Sequence, residues 1–264
     1  MFKITRALAL GAGLVLSVAA PNAQADPLVQ TLTPAEMSAA QFNSLFTPIT
    51  TVLTSNYGFL NTPNAGVVES QVFAGTGPEA GLYAYAYQFS VNNVTDKSGN
   101  PPAGVNSASM LFNATPVGSD LIPPGTLTFG YVITNGQVGG LNLPQAAPGS
   151  VVQTPSSIAW VPSQSGTAGT LTFQYLNPTT NTGPLAAGAT SGTIVELSVN
   201  PFTLQFVSLQ NPEPQTINPK AYAPADGSLP IAVPVPEPAT ILAWTGVIAG
   251  LAVRYRFRRK HKTA

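Results

Sequence analysis

Carboxylates are the side chains of this chain with the widest choice of chemistry, because it contains no cysteine and one histidine, His261. Two carboxyl groups about 5–9.5 Å apart can hydrolyse a glycosidic bond, one as general acid and the other as nucleophile or base. The candidates are Glu69, Glu79, Asp96, Asp120, Glu196, Glu213 and Asp226. No two of them form a local motif, so the sequence favours solvated acids on strands and turns. A carboxylate-based hydrolase stays as a third hypothesis.

The missing residue types exclude several classes of enzyme from the region before His261. Ser-His-Asp and Cys-His catalysis need an imidazole, and protein zinc sites are built mainly from histidine and cysteine. Disulfides and Fe–S clusters need cysteine. We therefore predict a protein that is not an enzyme, with no catalytic residue, no metal and no cofactor.

One loop has the oxygen-bearing side chains of a calcium site. Asp96, Ser98 and Asn100 alternate along it, but Lys97 intervenes and no EF-hand spacing follows. Asp, Gly and Asn are also the residues that build tight turns. The sequence therefore favours a turn without a metal ion.

Three alternating tyrosines are the candidate ligand-binding residues of the central region. Tyr83, Tyr85 and Tyr87 lie at every second position, and aromatic faces of this kind could contact a glycan. The residues between them are small or polar, which favours core packing of the tyrosines instead. Trp160 is likewise predicted to be a core residue. A carbohydrate-binding module is the second hypothesis for the function.

Period-2 alternation of apolar residues, the signature of β-strands, would position these side chains. It is clearest at residues 82–91, where the tyrosines point one way and the intervening small or polar residues the other. Similar runs occupy residues 67–73, 109–114, 126–134, 158–161, 170–176, 193–199 and 202–207. Gly- and Pro-rich turns separate them. The pattern predicts an all-β fold, an antiparallel β-sandwich over residues 26–210.

Two local signals refine that fold. Asn135-Gly136 follows an alternating run and predicts a type I′ hairpin. Thr33, Pro34 and Glu36 fit the start of a helix with a capping box, which would end before Pro48.

Charge divides the chain sharply although its formal net charge is zero. All ten acids lie between Asp26 and Glu237 with only Lys97 and Lys220 as bases, so this span carries a formal charge of −8. The other eight bases lie near the two ends. A translocated middle with cytoplasmic ends has this asymmetry. An acidic body has no means of neutralising phosphates, so nucleic acid is not a predicted partner.

Residues 1–25 have the features of a secretory signal peptide. Lys3 and Arg6 precede an apolar run at residues 7–20, and Pro21 ends it. Ala23 and Ala25 give the small-x-small pattern for cleavage before Asp26. We therefore predict export through the Sec translocon.

The C-terminal part of the chain contains a Pro-rich segment, an apolar run and a basic tail. Seven prolines within residues 211–236 predict an extended stalk over residues 211–234. Residues 239–253 are apolar or small and would form a transmembrane helix about 22 Å long. The basic tail at residues 254–264 would remain cytoplasmic through Arg254, Arg256, Arg258, Arg259 and Lys260.

Val235, Pro236, Glu237 and Pro238, the apolar run and the basic tail together resemble the PEP-CTERM sorting tail of Gram-negative bacteria. The resemblance covers residues 235–264. It implies recognition of Pro236, Glu237 and Pro238 by an exosortase, a membrane-embedded cysteine peptidase, and cleavage near them. It also implies an inner-membrane-anchored precursor that later reaches the cell surface or the extracellular matrix, usually beside exopolysaccharide. The first hypothesis is thus an exported, non-enzymatic surface or matrix protein.

Overall fold

The computed structural model of the protein describes residues 29–32, 34–100, 104–121, 124–141, 151–163, 168–179, 181–211 and 219–226. The predicted signal peptide, the transmembrane segment and the sorting tail lie outside these ranges. Within them, no helix is both long enough and apolar enough to cross a membrane.

The described residues contain seventeen strands, one short α-helix and one 3-10 turn. The first part contains β1 (Gln30–Leu32), β2 (Ala35–Glu36), α1 (Ala39–Leu45), β3 (Phe46–Pro48), β4 (Leu53–Phe59), β5 (Thr62–Gly75), a 3-10 turn (Gly77–Glu79) and β6 (Tyr83–Val91). The middle contains β7 (Ser107–Phe112), β8 (Ser119–Leu121), β9 (Pro124–Thr128), β10 (Tyr131–Ile133), β11 (Val151–Gln153) and β12 (Ser157–Pro162). The last part contains β13 (Gly169–Gln174), β14 (Ala189–Ser191), β15 (Thr193–Ser198), β16 (Phe202–Gln210) and β17 (Lys220–Pro224). The prediction of an all-β protein is confirmed.

Two large sheets contain nearly all the strands. The first sheet has the order β1-β12-β13-β7-β16-β17. The second has the order β11-β14-β6-β15-β10-β2, and β5 joins β3 and β4 to β6. Neighbouring strands are antiparallel except in the short pairs β2–β10 and β11–β14, and β8 and β9 form a small separate sheet.

A shared hydrophobic cluster lies between the two large sheets, because each contributes alternate residues of its strands to it. Phe173 of the first sheet contacts Tyr87 and Phe89 of the second, with ring centroids 5.7 Å apart in both pairs. Tyr85 packs edge-on against Phe112 at 5.8 Å. Such aromatic pairs contribute about 0.5–1.5 kcal/mol each beyond the burial of their area. Trp160 lies in the same cluster, as predicted.

A second cluster covers the opposite side of the second sheet, so β6 is buried on both faces. Phe42 of α1 stacks on Phe46 at 5.0 Å and meets Phe73 edge-on at 4.9 Å. Asn43 fixes the loop after β10, since its Nδ2 donates to the Gln137 carbonyl and its Oδ1 accepts from the Gly139 N–H. The predicted alternation of residues 83–91 is confirmed, with tyrosines in the first cluster and alanines in the second.

The helix begins later than the sequence predicted. Residues 35–36 form β2, and the N–H groups of Ala35 and Met37 donate to carbonyls beside and within β10. Those bonds hold the segment extended, so the predicted cap at Thr33 and Glu36 is wrong. The capping box is instead built by Ser38 and Gln41, whose side chains bond each other's backbone N–H groups.

The hairpin predicted at Asn135-Gly136 is also wrong. Gly136 has a φ of 89°, but among the described residues other than glycine only Asn181 has a positive φ, and type I′ requires two. β10 pairs with β15 and β2 rather than with the chain that follows it. The segment that follows β10 packs against the second sheet and buries Val138 and Leu141 in the second cluster.

Part of the predicted stalk is a strand. β17 pairs with β16 over five residue pairs, from Phe202↔Pro224 to Phe206↔Lys220. The N–H of Tyr222 also donates to the Ser70 hydroxyl of the second sheet, at 3.0 Å. Residues 219–226 therefore belong to the folded body, beyond the domain end predicted at residue 210. Pro224 is tolerated there because it is the last residue of β17, which is an edge strand of the first sheet.

Candidate functional site

The tyrosines proposed as glycan contacts do not form a surface. Tyr85 and Tyr87 are fully buried and Tyr83 is partly buried against the first cluster. The Tyr85 hydroxyl donates to the Asn200 carbonyl at 2.7 Å. A strand buried on both faces shows the same alternation as a strand with one solvent face, which is why the sequence left both roles open. As glycan contacts Tyr85 and Tyr87 are wrong, because no sugar can reach a ring enclosed between two sheets.

The Asp96 loop is a closed turn. One carboxylate oxygen of Asp96 accepts the N–H groups of Ser98 and Asn100, both at 2.8 Å, and the other accepts from the Asn100 amide at 3.3 Å. These bonds lower the pKa of Asp96, the backbone bond from Asn100 being the largest cause. The carboxylate thus serves the turn, as the sequence favoured. No group of three metal-ligating side chains occurs in the described ranges.

Two further carboxylates, Glu79 and Glu69, are engaged at separate places in the fold. Glu79 is buried and accepts a 2.5 Å hydrogen bond from the Ser119 hydroxyl. Glu69 is buried beside Thr54, whose hydroxyl lies 3.4 Å from it. The side chain of Asp120 and the whole of Glu213 lie outside the described residues. Nothing in these positions points to a hydrolytic pair.

Glu196 is the most unusual of these acids. β15 places it opposite Tyr85 of β6, inside the space between the sheets, where it is 0% exposed. In the part of the chain that the structure describes, neither of its carboxylate oxygens has a hydrogen-bond partner, and neither does the nearby Tyr87 hydroxyl. Gly130 flanks it, and a Cβ there would lie 2.7 Å from the carboxylate.

Burial decides the protonation state of Glu196. Desolvation raises its pKa from 4.5 to about 8, so the carboxyl is neutral at neutral pH. Burial, the neighbouring Tyr85 and then Glu196 itself raise the pKa of Tyr87. A carboxyl without access to solvent cannot meet a substrate. Its effect is on stability, which becomes dependent on pH.

The exposed site candidate lies on the side of the first sheet turned away from the second, which we call the outer face. It consists of alternate residues of four adjacent strands: Ser109 and Leu111 of β7, Thr170 and Thr172 of β13, Leu204, Phe206 and Ser208 of β16, and Lys220 of β17. Met110, Leu171 and Val207 lie between them along the strands and point into the shared cluster. Strand pairing therefore fixes the positions of all eight side chains.

Two rows cross the strands of the outer face. The first is polar: Thr172 pairs with Ser109, and Ser109 pairs with Ser208. The Ser109 and Thr172 hydroxyls are 3.0 Å apart and hydrogen-bonded. In the second row, Thr170 of β13 pairs with Leu111 of β7, and Phe206 of β16 pairs with Lys220 of β17.

Phe206 is the exposed aromatic ring of the outer face, at 60% exposure. On the same face, Leu111 of β7 is 45% exposed and Leu204 of β16 is 48% exposed. The Lys220 ammonium lies 5.3 Å from the centre of the Phe206 ring, a cation–π distance. Sequence reasoning missed this surface. Residues 202–207 were predicted to be a strand, but which face would be solvated was not evident, and Lys220 was assigned to the stalk.

The predicted sorting residues Val235, Pro236, Glu237 and Pro238 lie outside the described residues, as do Ala23, Ala25 and the basic anchor. Searches against protein-family models, curated proteins and solved structures found no match for the chain.

Proposed function

We propose that the protein is an exported, non-enzymatic component of the cell surface or extracellular matrix, sorted through its C-terminal tail. The observation that carries this proposal is the order of Pro236-Glu237-Pro238, the apolar run at residues 239–253 and the basic residues that follow. The acidic body between two basic ends supports the same topology. On this proposal the Sec translocon and an exosortase are its transient partners, the apolar run anchors the precursor in the inner membrane, and the β-sandwich is the exported part.

The sorting proposal predicts that Glu237→Ala prevents processing. Loss of the carboxylate from the Pro-Glu-Pro motif would leave the full-length precursor in the membrane fraction, whereas the wild-type chain would end near Pro238. The measurement is intact-mass spectrometry of the protein recovered from membrane, surface and medium of the native host. Glu213→Ala, in the same Pro-rich region, is the matched control and should be processed normally.

Deletion of residues 254–264 should have the same consequence, because the basic tail sets the orientation of the apolar run. Release of both variants with the wild-type C-terminal mass would contradict the sorting proposal. So would a wild-type protein that keeps its entire C-terminus at the cell surface.

A second function, binding of matrix polysaccharide, is supported by the outer face. Phe206 gives an exposed ring and the adjacent hydroxyl row gives donors and acceptors at regular spacing. This support replaces the tyrosines, which are buried. Sorting would bring the protein to the place where such a polymer is found, so the two proposals are compatible.

A further inference from the structure

We propose that the outer face binds an acidic polysaccharide, with a sugar ring on Phe206, sugar hydroxyls along the Thr172–Ser109–Ser208 row and a carboxylate at Lys220. This inference rests on the second proposed function and specifies its ligand class and site. It concerns the folded body and does not depend on the sorting tail.

The spacing of the two rows suits a polymer lying across the strands. Adjacent strands are about 4.8 Å apart, and alternate residues along one strand are about 6.7 Å apart. An extended glycan chain on this surface can therefore place the C–H face of a ring on Phe206 of the second row and its hydroxyl edge along the polar row. Thr172, Ser109 and Ser208 lie on three successive strands, so the hydroxyl contacts repeat along the polymer.

Charge selects an anionic polymer. The six strands of the first sheet contain no aspartate or glutamate, and Lys220 is their only charged residue. Glu36 of the second sheet is exposed, and Asp226 lies beyond the end of β17 that is opposite to Lys220. A polyuronate would be repelled by much of the acidic body and attracted to this face.

The same charge argues against a second copy of the chain as the occupant. A two-fold contact through the outer face would bring two Lys220 side chains into one interface with no acid on either first sheet to neutralise them. The exposed large apolar residues are also few: among the described strands of the first sheet they are Leu111, Leu204 and Phe206. A bound anionic sugar, in contrast, pairs with the lysine.

The cation–π contact prepares the site. The Lys220 ammonium lies over the Phe206 ring, 5.3 Å from its centre. A uronate whose ring lies on Phe206 can then place its carboxylate near the ammonium. The lysine therefore determines the preference for charge, and the phenyl ring supplies contact with any sugar.

The test is isothermal titration of the full-length protein with polygalacturonate and with the same polymer after methyl esterification, which removes its charge. We expect polygalacturonate to bind more tightly. Phe206→Ala should weaken binding of both polymers about tenfold, as expected for loss of one aromatic contact. Lys220→Gln should weaken binding of polygalacturonate only, to the level of the ester. About 1 M NaCl, where the screening length is about 3 Å, should have the same effect as Lys220→Gln.

Leu60→Ala is the matched control, because Leu60 is 55% exposed in the turn between β4 and β5 of the other sheet. It should bind as wild type, and all three variants should keep the wild-type melting temperature. Wild-type affinity in Phe206→Ala and Lys220→Gln, or no binding of either polymer by the wild type, would overturn the inference. Sedimentation of a dimer that Phe206→Ala dissociates, without polymer binding, would instead assign the face to self-association. None of these outcomes alters the C-terminal mass, so failure here is distinguishable from failure of the sorting proposal.

Discussion

Replacing Glu196 with glutamine is expected to remove most of the pH dependence of stability between about pH 4.5 and pH 8. The carboxyl is enclosed between the sheets without a hydrogen-bond partner among the described residues, and desolvation raises its pKa from 4.5 to about 8. In the unfolded chain the same group ionises near pH 4.5. Between the two values the folded protein holds a proton that the unfolded chain has released.

The sign follows from proton linkage. Because the unfolded state binds fewer protons in this interval, the free energy of unfolding falls as pH rises. The contribution of Glu196 is fully present below about pH 4.5 and is lost progressively up to about pH 8, above which both states are ionised. A shift of this size corresponds to about 5 kcal/mol, at 1.36 kcal/mol per pKa unit. Total stabilities of folded domains are about 5–15 kcal/mol, so the effect is large.

Urea unfolding at a series of pH values measures this contribution. The wild-type midpoint should fall steadily from pH 5 to pH 8, and that of Glu196→Gln should stay nearly level, whatever its absolute value. Glu36→Gln is the control at an exposed acid and should follow the wild-type slope. Parallel slopes for wild type and Glu196→Gln would show that the carboxyl is not held neutral in the folded protein.

Gly66→Ala is expected to be the most disruptive single-methyl addition in the second sheet. β5 pairs Gly66 with Tyr57 on one side and with Val91 on the other. An added Cβ would lie 2.0 Å from the Ser90 carbonyl oxygen and 2.3 Å from the Tyr57 hydroxyl, which itself donates to that carbonyl at 2.7 Å. Strand pairing with β5 holds the Ser90 carbonyl in place and the Tyr57 ring is fully buried, so neither group can move without disrupting the sheet.

The expected cost is on the order of 4 kcal/mol, the upper range for single substitutions. Thermal or urea unfolding followed by circular dichroism measures it. Gly183→Ala is the matched control, because a Cβ at Gly183 meets nothing within 4 Å and its φ is not positive. It should change stability by less than about 0.5 kcal/mol. Equal unfolding midpoints for Gly66→Ala and Gly183→Ala would contradict the proposed packing of Tyr57.

The sequence predicted strands where apolar alternation is strong and missed them where polar residues interrupt it. β6 was predicted within one residue because tyrosines and alanines alternate without a break. β4 was missed because Thr54, Ser55 and Asn56 conceal its pattern, although pairing with β5 satisfies its backbone. β17 was missed because prolines surround it, and its hydrogen bonds come from residues far away in the sequence.

The candidate sites show a different limit. Local periodicity gives the side of a strand on which a residue lies, but not which side another layer covers. Tyr85 and Phe206 both occupy alternating strands, yet one is enclosed and the other is exposed. The distinction comes from the stacking of the two sheets, which depends on long-range pairing. Glu196 was identified only as a candidate acid, since its isolation arises from Gly130 and the facing sheet.

The pairing of the first sheet joins segments that lie far apart in the sequence. β1 is synthesised early, but its partner is β12, with Gln30 beside Trp160. The opposite edge is completed by β17, the last strand described, which also bonds to Ser70 in β5. Contacts between such distant segments form slowly because long loops must close first. On the proposal that the protein is exported, slow folding would keep the chain unfolded for longer, which is the condition in which a translocation pore can thread it.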